Sequence, residues 1–283
     1  MEPHRLDSQF KFLKLSDASP GVVVVQLDRP RKRNAINSDG WKEIGNIFAS
    51  VAQDGTCRCI VLSGIGKAFS AGIDITDPSF FSFNDSDGDI ARRGVSFLPK
   101  VRQMQECFTA IERCPVPVIA AIHGNCIGAG IDLACCCDIR LAAQETIFSV
   151  REVNIGLAAD IGTLQRLPKI TGNDSRVREL CYTGEFFSPQ EALSIGFISR
   201  ICPNPLSDAI EVATKIVANS PVAVYGTKQS LVYSRDHSVE EGLEHVASHN
   251  ALALMTDDIP AAYAASASKE SPSFSNMLPF SKL

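Results

Sequence analysis

The chain has 283 residues, of which 45% are apolar and 21% are charged. That length and balance are typical of a globular protein that buries its core without metals or disulfides. Lysine and arginine total 27 against 32 aspartate and glutamate residues, which gives a formal net charge of −5. The acidic balance gives no electrostatic reason to expect a nucleic-acid partner, and no apolar run is long enough for a membrane span.

Short β-rich runs alternate with helical ones over the first 200 residues. The predicted strands are 22–27, 59–63, 118–123, 139–142 and 147–150. The predicted helices are 40–53, 101–112, 131–137 and 189–195. The last helix begins with Ser188-Pro-Gln-Glu191, which predicts a cap, a proline at the first helical position and a capping-box glutamate. Strands separated by helices predict an α/β fold with a covered sheet.

Residues 77–99 interrupt this alternation. Asp, Ser and Gly are interleaved there with Phe80, Phe81, Phe83 and Phe97, which predicts a long irregular insertion. Loops of that length are often lids over a functional site.

After Pro205 the composition changes to helix formers, with helices predicted at 207–219, 221–233 and 238–255. Ser238-Val-Glu-Glu241 is a second capping box. We therefore predict a core over residues 1–204, a helical region over 205–270 and a flexible tail over 271–283.

Cysteine is abundant, at 10 residues. Cys135, Cys136 and Cys137 are consecutive, which suits neither disulfide pairing nor a tetrahedral zinc site. We expect the cysteines to be reduced, buried core residues, and we expect no metal site.

Two glycine turns follow predicted strands and place small residues where the backbone can approach another group closely. The first contains Ala71-Gly72-Ile73-Asp74, and the second contains Gly128-Ala129-Gly130. Glycine permits positive φ, and the start of a helix leaves backbone N–H groups unpaired. Two such amides from different loops can face one oxygen atom, as in an oxyanion hole.

Two nucleotide-binding interpretations of these glycines fail. Ala68 follows Lys67 where a phosphate-binding loop needs Ser or Thr, and the glycine spacing is wrong. The second turn is not in the G-x-G-x-x-G order of a dinucleotide site. Each turn taken alone is more often structural than catalytic, so a catalytic interpretation depends on the two turns together.

The run from 119 to 139, IAAIHGNCIGAGIDLACCCDI, resembles the signature of the enoyl-CoA hydratase/isomerase (crotonase) family along its whole length. Supporting motifs begin at Arg29 (RPRKRNAI), Lys67 (KAFSAGID) and Gly162 (GTLQRLP), in the family's order. The resemblance implies an α/β spiral of β-β-α units with a helical carboxyl-terminal trimerisation region. It also implies acyl-CoA thioester substrates and self-association as a trimer or a dimer of trimers.

By the family pattern, the backbone amides of Ile73 and Ala129 would bind the thioester carbonyl oxygen. Ala129 stands where the family commonly has glycine, a small departure that leaves the amide donor in place. The resemblance further implies that the backbone around Ala35, Ala71 and Ile73 lies near the bound CoA, and we expect the glycines Gly72 and Gly128 to contact substrate as well. Arg29 and Lys32 belong to a basic segment that could meet the CoA phosphates, and a solvated turn is the equal alternative for each of them. Asp138 also matches the family motif, and we expect it to be structural.

Three carboxylates decide which reaction the resemblance implies. Asp132 and Glu152 match the two glutamate positions of the hydratases, and Asp160 stands where hydratases usually carry a small residue. This set of three resembles the Δ3,5-Δ2,4-dienoyl-CoA isomerases, which act in the breakdown of unsaturated fatty acids. Their reaction removes a proton at C2 and adds one at C6, and two groups serve those distant carbons better than one. We expect Asp160, among Leu157, Ala158, Ala159 and Ile161, to favour its protonated form.

The resemblance therefore implies an isomerase with Asp132, Glu152 and Asp160 as catalytic residues and no cofactor. A 2-enoyl-CoA hydratase or a Δ3-Δ2-enoyl-CoA isomerase remains the alternative, although neither reaction has an obvious use for Asp160. A silent acyl-CoA-binding or RNA-binding relative is a third possibility, which the three carboxylates and the negative charge disfavour. Ser281-Lys282-Leu283 matches a peroxisomal address, so we expect a peroxisomal import receptor as partner.

Overall fold

The computed structural model describes residues 1–80 and 88–279. The strands in these ranges are β1 (Glu2–Pro3), β2 (Leu13–Ser19), β3 (Val22–Leu27), β4 (Cys59–Gly64), β5 (Ala68–Ser70), β6 (Val118–Ile122), β7 (Asn125–Ile127), β8 (Ile139–Ala142), β9 (Ile147–Ser149) and β10 (Arg200–Ile201). The helices are α1 (Ser38–Ala52), α2 (Ile90–Glu112), α3 (Ala129–Cys136), α4 (Thr163–Ile170), α5 (Asp174–Thr183), α6 (Pro189–Ser194), α7 (Pro205–Val217), α8 (Pro221–Ser234), α9 (Val239–Ala253) and α10 (Asp258–Ser268).

Successive turns of the chain contribute one strand to each of two sheets. The larger sheet has the order β1-β2-β3-β4-β6-β8-β10 and is parallel from β3 onward. The smaller sheet has the order β5-β7-β9, also parallel. The strand pairs β4–β5 and β6–β7 are each followed by a helix, α2 and α3. The predicted spiral of β-β-α units is confirmed.

Both faces of the larger sheet are covered, which explains the unbroken apolar run of β3. Val23, Val25 and Leu27 face a core shared with α1, α2 and α3. Val22 and Val24 face the other side, where Ala209 and Ala213 of α7 complete a second apolar cluster. The helical region after residue 204 thus supplies one layer of the fold.

The predicted irregular insertion at 77–99 is wrong from residue 90 onward. Asp89 caps α2 by accepting a hydrogen bond from the Arg92 N–H, and the helix runs through Pro99 to residue 112. Gly94 and Pro99, residue types that local propensity disfavours within a helix, both lie in α2. Phe80 ends a single 3-10 turn (Pro78–Phe80), and Phe81 and Phe83 lie outside the described residues.

Local capping follows the predictions, with one difference. The capping box of Ser238 and Glu241 opens α9 with both of its hydrogen bonds. Ser188 caps α6 through the Glu191 N–H, but the Glu191 carboxylate accepts a hydrogen bond from Arg176 Nε at 2.5 Å. An arginine of another helix therefore holds the side chain that was expected to complete the second box.

The carboxyl-terminal residues 270–279 have no helix or strand, yet Arg58 attaches them to the body. Its Nη2 donates to the Phe274 carbonyl oxygen at 2.5 Å and its Nε to Asn276 Oδ1 at 3.0 Å. Its Nη1 donates to the carbonyl of Val217, at the end of α7. The address tripeptide Ser281-Lys282-Leu283 lies outside the described residues.

All ten cysteines are free thiols, and nine of them are buried, as expected for core residues. In the described part of the chain, no cluster of histidine, cysteine and carboxylate side chains is arranged to hold a metal ion. Among the described helices, none combines the length and apolar content that a membrane span requires.

Candidate active site

A cavity of about 230 Å³ lies between α2, α3 and the two glycine turns. One wall is apolar and is formed by Trp41, Phe80, Phe97, Val101 and Met104. The opposite wall carries the side chains of Asp132, Arg151, Glu152 and Asp160. A largely apolar cavity with a few convergent polar groups is the usual form of a small-molecule site.

The first glycine turn is held rigidly beside the segment that precedes α1. Ile36 N donates to the Gly72 carbonyl oxygen at 2.8 Å, and Asp74 N donates to the Ile36 carbonyl oxygen at 2.9 Å. Arg29 adds a brace, because its Nη1 donates to the Ala35 carbonyl at 2.7 Å and its Nη2 to Asp74 Oδ2 at 3.0 Å. Thr76 and Arg29 lower the pKa of Asp74, so this brace stays ionised. Ile73 lies at the cavity between these anchors.

Buried Asn34 stabilises the segment of chain that leads into the same turn. It adopts the left-handed conformation, with φ +56°, which asparagine tolerates better than most residues. Its Oδ1 accepts from Arg29 N, and its Nδ2 donates to the carbonyl oxygens of Ile65 and Ala68. These bonds explain why an asparagine stands in the first motif.

The second glycine turn opens α3 and lies directly against the first. A Cβ atom on Gly72 would stand 2.9 Å from the Ile127 carbonyl oxygen and 3.5 Å from Ala129 N. Gly128 has a φ of +52° and Ala129 is the first residue of α3. Within residues 1–80 and 88–279, the Ile73 and Ala129 amides donate to no acceptor. Two residues whose N–H groups have no acceptor in the described ranges thus line the cavity, and their role as an oxyanion hole stays a prediction.

Asp132 is almost fully buried, at 2% exposure. Its Oδ1 accepts hydrogen bonds from both the backbone N–H and the hydroxyl of Thr163, each at 2.7 Å. Burial raises the pKa of Asp132 to about 6, against the lowering effect of the Thr163 bonds.

Glu152 opens a single 3-10 turn (Glu152–Ile155) and faces Gly128. Its buried Oε2 has no hydrogen-bond partner among the described residues. Burial raises the pKa of Glu152 to about 7, and the charge of Asp132 adds to the shift. A carboxylate of this kind titrates near neutral pH, where a general base is most effective.

Asp160 differs from the other two carboxylates because its residue is exposed, at the rim of the cavity. Its neighbours Ala159 and Ile161 are buried, whereas Leu157 and Ala158 are exposed. Desolvation still raises the pKa of Asp160, the direction expected from its apolar sequence. Asp160 also borders a second, more polar cavity of about 370 Å³ on its other side, so it lies between the apolar site and solvent.

The residues predicted to contact substrate divide into two groups. Ala71, Gly72, Ile73 and Gly128 line the cavity. Arg29 and Ala35 are bonded to each other, and Lys32 is exposed in the short turn Pro30–Lys32. Contacts of Arg29, Lys32 and Ala35 with CoA stay a prediction.

Asp138 lies apart from the cavity, in the structural position expected for it. Its Oδ2 accepts from Val118 N at 2.7 Å and from Lys228 Nζ at 2.8 Å. Lys228 is buried, at 4% exposure. This ion pair joins α8 to the spiral.

The sequence alone did not point to Trp41 or Thr163 as residues of the site. Trp41 stacks on Phe108 with ring centroids 4.5 Å apart, and its Nε1 donates to the Met104 carbonyl oxygen at 2.9 Å. No local pattern places an α1 tryptophan in a cavity with residues of α2. Thr163 stands inside the third motif, directly after Gly162, but the sequence does not show that it meets Asp132.

The comparisons with known proteins agree with the motifs. A family model described as enoyl-CoA hydratase/isomerase matches residues 17–276. The chain is 47% identical over 256 residues to a Homo sapiens protein named mitochondrial Delta(3,5)-Delta(2,4)-dienoyl-CoA isomerase, covering 89% of this chain and 78% of the relative. It is 40% identical over 268 residues to an Arabidopsis thaliana protein of that name called peroxisomal, covering 93% and 95%. A crystal structure of an enoyl-CoA hydratase from Bacillus anthracis aligns with a TM-score of 0.83 at 29% identity, covering 93% and 99% of the two chains.

Proposed function

This chain belongs to the enoyl-CoA hydratase/isomerase family, and from that premise we propose that it isomerises 3,5-dienoyl-CoA to 2,4-dienoyl-CoA thioesters. The observation that carries the proposal is the presence of three carboxylates, Asp132, Glu152 and Asp160, around one cavity that is also lined by two residues whose backbone amides have no acceptor among the described residues. The human and plant relatives are named for this same isomerisation.

The first step is proton removal at C2. Ionised Glu152 takes the proton, and the C–H electron pair moves into the diene and the carbonyl group to give a dienolate. The amides of Ile73 and Ala129 donate hydrogen bonds to the oxygen that gains charge, and each donor of this kind is worth about 3–4 kcal/mol of transition-state stabilisation.

The second step is protonation at C6. Asp160 supplies the proton, and the electron pairs shift to form the 2,4-diene and restore the carbonyl group. Its raised pKa favours the protonated form that this step needs. After turnover, Glu152 holds a proton and Asp160 lacks one. Asp160 is exposed and borders a polar cavity, so it can regain a proton from water, and Glu152 returns its proton to water once the product has left. The step balances without a metal or redox cofactor, because the thioester already acidifies C2.

One assay separates this reaction from its alternatives. The protein is incubated with 3,5-dienoyl-CoA and, separately, with 2-enoyl-CoA, and the ultraviolet absorbance of the conjugated thioester is followed. We expect conversion of the dienoyl substrate with little hydration of the enoyl substrate. Hydration of 2-enoyl-CoA without action on the dienoyl substrate would instead assign a hydratase. Conversion of a 3-enoyl-CoA alone would assign a Δ3-Δ2-enoyl-CoA isomerase.

We further propose self-association as a trimer or a dimer of trimers. Large apolar side chains are exposed along α8, α9 and the turn that follows: Leu231, Val239, Leu243, Leu252, Leu254 and Met255. An interface between subunits would remove these apolar side chains from water. Sedimentation should give a multiple of three chains, and a stable monomer at micromolar concentration would contradict the proposal.

For location we propose the peroxisome, with an import receptor that binds Ser281-Lys282-Leu283. The name of the plant relative supports this, whereas the animal relatives are named mitochondrial. Deleting residues 281–283 should leave activity intact and abolish import into peroxisomes. Import of the shortened chain would mean that another signal operates.

A further inference from the structure

Asp132 and Glu152, the two carboxylates deepest in the site, receive very different hydrogen bonds from the atoms around them. Asp132 receives two hydrogen bonds at one oxygen, both from Thr163. Glu152 Oε2 receives none within the described ranges. Thr163 is itself fully buried, so water does not compete for its hydroxyl. Hydrogen bonds to a carboxylate favour its ionised form.

The position of Thr163 in the fold strengthens this effect. It is the first residue of α4, and the preceding Gly162 has no side chain to cap the helix. The Asp132 carboxylate, from α3, therefore takes a backbone N–H that would otherwise be unpaired at the positive end of α4. The Thr163 hydroxyl donates a second hydrogen bond to the same oxygen of Asp132.

We propose that Thr163 is a positioning residue that keeps the proton of the Asp132–Glu152 pair on Glu152 in the resting protein. Two neighbouring carboxylates resist ionising together, so whichever is better stabilised as an anion leaves the proton with the other. Thr163 makes no contact with substrate in this role and acts only through Asp132.

The other charged groups around Asp132 and Glu152 do not shift the proton from Glu152 to Asp132. Asp160 raises the proton affinity of both carboxylates, and Arg166 lowers that of Asp132. Arg151 lines the same cavity. Burial keeps the nearby thiols neutral by raising their pKa: Cys126, Cys135, Cys136 and Cys181. The pKa values of about 6 for Asp132 and about 7 for Glu152 agree with the geometry.

The consequence for the reaction rests on the proposed function. Glu152 must lose its proton before it can act as the base, so its ionisation sets the acidic limb of the pH–rate profile. Without the Thr163 hydroxyl the proton moves to Asp132. Glu152 then ionises at lower pH, because its neighbour is neutral.

The test compares Thr163→Val with the matched control Thr163→Ser, which keeps the hydroxyl. In Thr163→Val, the acidic limb of kcat/KM for 3,5-dienoyl-CoA should move down by about one pH unit. In Thr163→Ser it should stay in place. A Thr163→Val profile that is lower at every pH but unshifted would overturn the proposal, because that pattern is what a purely structural role produces.

A second readout needs no substrate and therefore separates this proposal from the proposed function. The stability difference between each protein and its own Glu152→Gln variant is measured by denaturant unfolding from pH 5 to pH 9. The pH at which the difference levels off reports the ionisation of Glu152 in the folded state. That pH should fall by about one unit in the Thr163→Val background, even if 3,5-dienoyl-CoA proves not to be the substrate. An unchanged value would reject the role of Thr163.

Discussion

Glu152 approaches Gly128 so closely that a side-chain carbon on Gly128 would stand 3.2 Å from the carboxylate oxygen Oε1. Glu152 Oε2 has no donor among the described residues, so the bare backbone at 128, rather than a hydrogen bond, shapes the space for this carboxylate. The same glycine precedes the Ala129 amide. One residue without a side chain thus lies next to both the proposed base and the N–H group proposed to bind the carbonyl oxygen.

The Gly128→Ala variant should lose about 10- to 100-fold in isomerase turnover, because small misplacements of reacting groups carry costs of that size. The matched control is Gly196→Ala, whose φ of +85° also strains a side chain but which does not line the cavity. Both variants should lose about 1 kcal/mol of stability. Equal turnover in the two would show that Gly128 has no special relation to Glu152.

Replacing Asp160 by asparagine keeps the shape of the side chain but removes its exchangeable carboxyl proton. We expect isomerase turnover to fall at least ~100-fold, the usual size of a general-acid effect. Substrate affinity should change little, since Asp160 lies at the cavity rim. Steady-state kinetics measure both, and near-normal turnover would remove Asp160 from the mechanism.

The two proton-transfer steps can be observed separately in heavy water. Glu152→Gln should abolish exchange of the C2 hydrogen, because no base remains beside that carbon. Asp160→Asn should still permit this exchange, since Glu152 and the amides of Ile73 and Ala129 still support the dienolate. Mass spectrometry of recovered substrate gives the result. Exchange that survives in Glu152→Gln and is lost in Asp160→Asn would reverse the two assignments.

Glu152 also makes stability depend on pH in an unusual direction. Burial raises its pKa from 4.5 to about 7 in the folded state, so the folded protein binds this proton more tightly than the unfolded chain. The resulting stabilisation is complete below pH 4.5 and is lost as the pH rises through 7.

Glu152→Gln should therefore be more stable than the wild type at pH 8, by roughly 3 kcal/mol. At pH 5 the difference should be no more than about 1 kcal/mol. Urea unfolding at both pH values measures the difference. The control Glu211→Gln, at an exposed ion pair, should change little at either pH. A pH-independent difference for Glu152→Gln would contradict the raised pKa.

Lys228→Met should destabilise the protein by about 3 kcal/mol, because it leaves the carboxylate of Asp138 without its buried cation. Lys215 offers a matched control. It pairs with Glu211 on the surface of α7, with 71% of its side chain exposed, and Lys215→Met should cost less than about 0.5 kcal/mol. Denaturant unfolding of both variants measures the contrast, and equal effects would mean that burial of the pair contributes nothing.

The sequence predicts the interior of this fold well because both faces of its sheet are buried. The strands predicted at 22–27 and 139–142 are observed with the same bounds. Short strands such as β5 and β7 escape prediction, since three residues beside a glycine turn carry no period. The error at α2 has another cause: the helix runs through Gly94 and Pro99, residues that local propensity disfavours in a helix interior.

Much of the candidate site could be predicted, because its motifs surround the glycine turns and the carboxylates. All three carboxylates and both backbone amides do meet at one cavity. The partners of those groups could not be predicted, since Thr163 lies 31 residues from Asp132 and Trp41 lies 63 from Met104. Only the folded chain brings such pairs together.

The packing of α7 against the larger sheet determines how this protein can be divided. Ala209 and Ala213 cover Val22, Val24 and Ile119, so a chain cut after residue 204 would expose one whole apolar face of the sheet. Exposed faces of this kind drive aggregation. We expect the spiral and its carboxyl-terminal helices to melt in a single cooperative transition, and a recombinant fragment ending at residue 204 to accumulate in inclusion bodies.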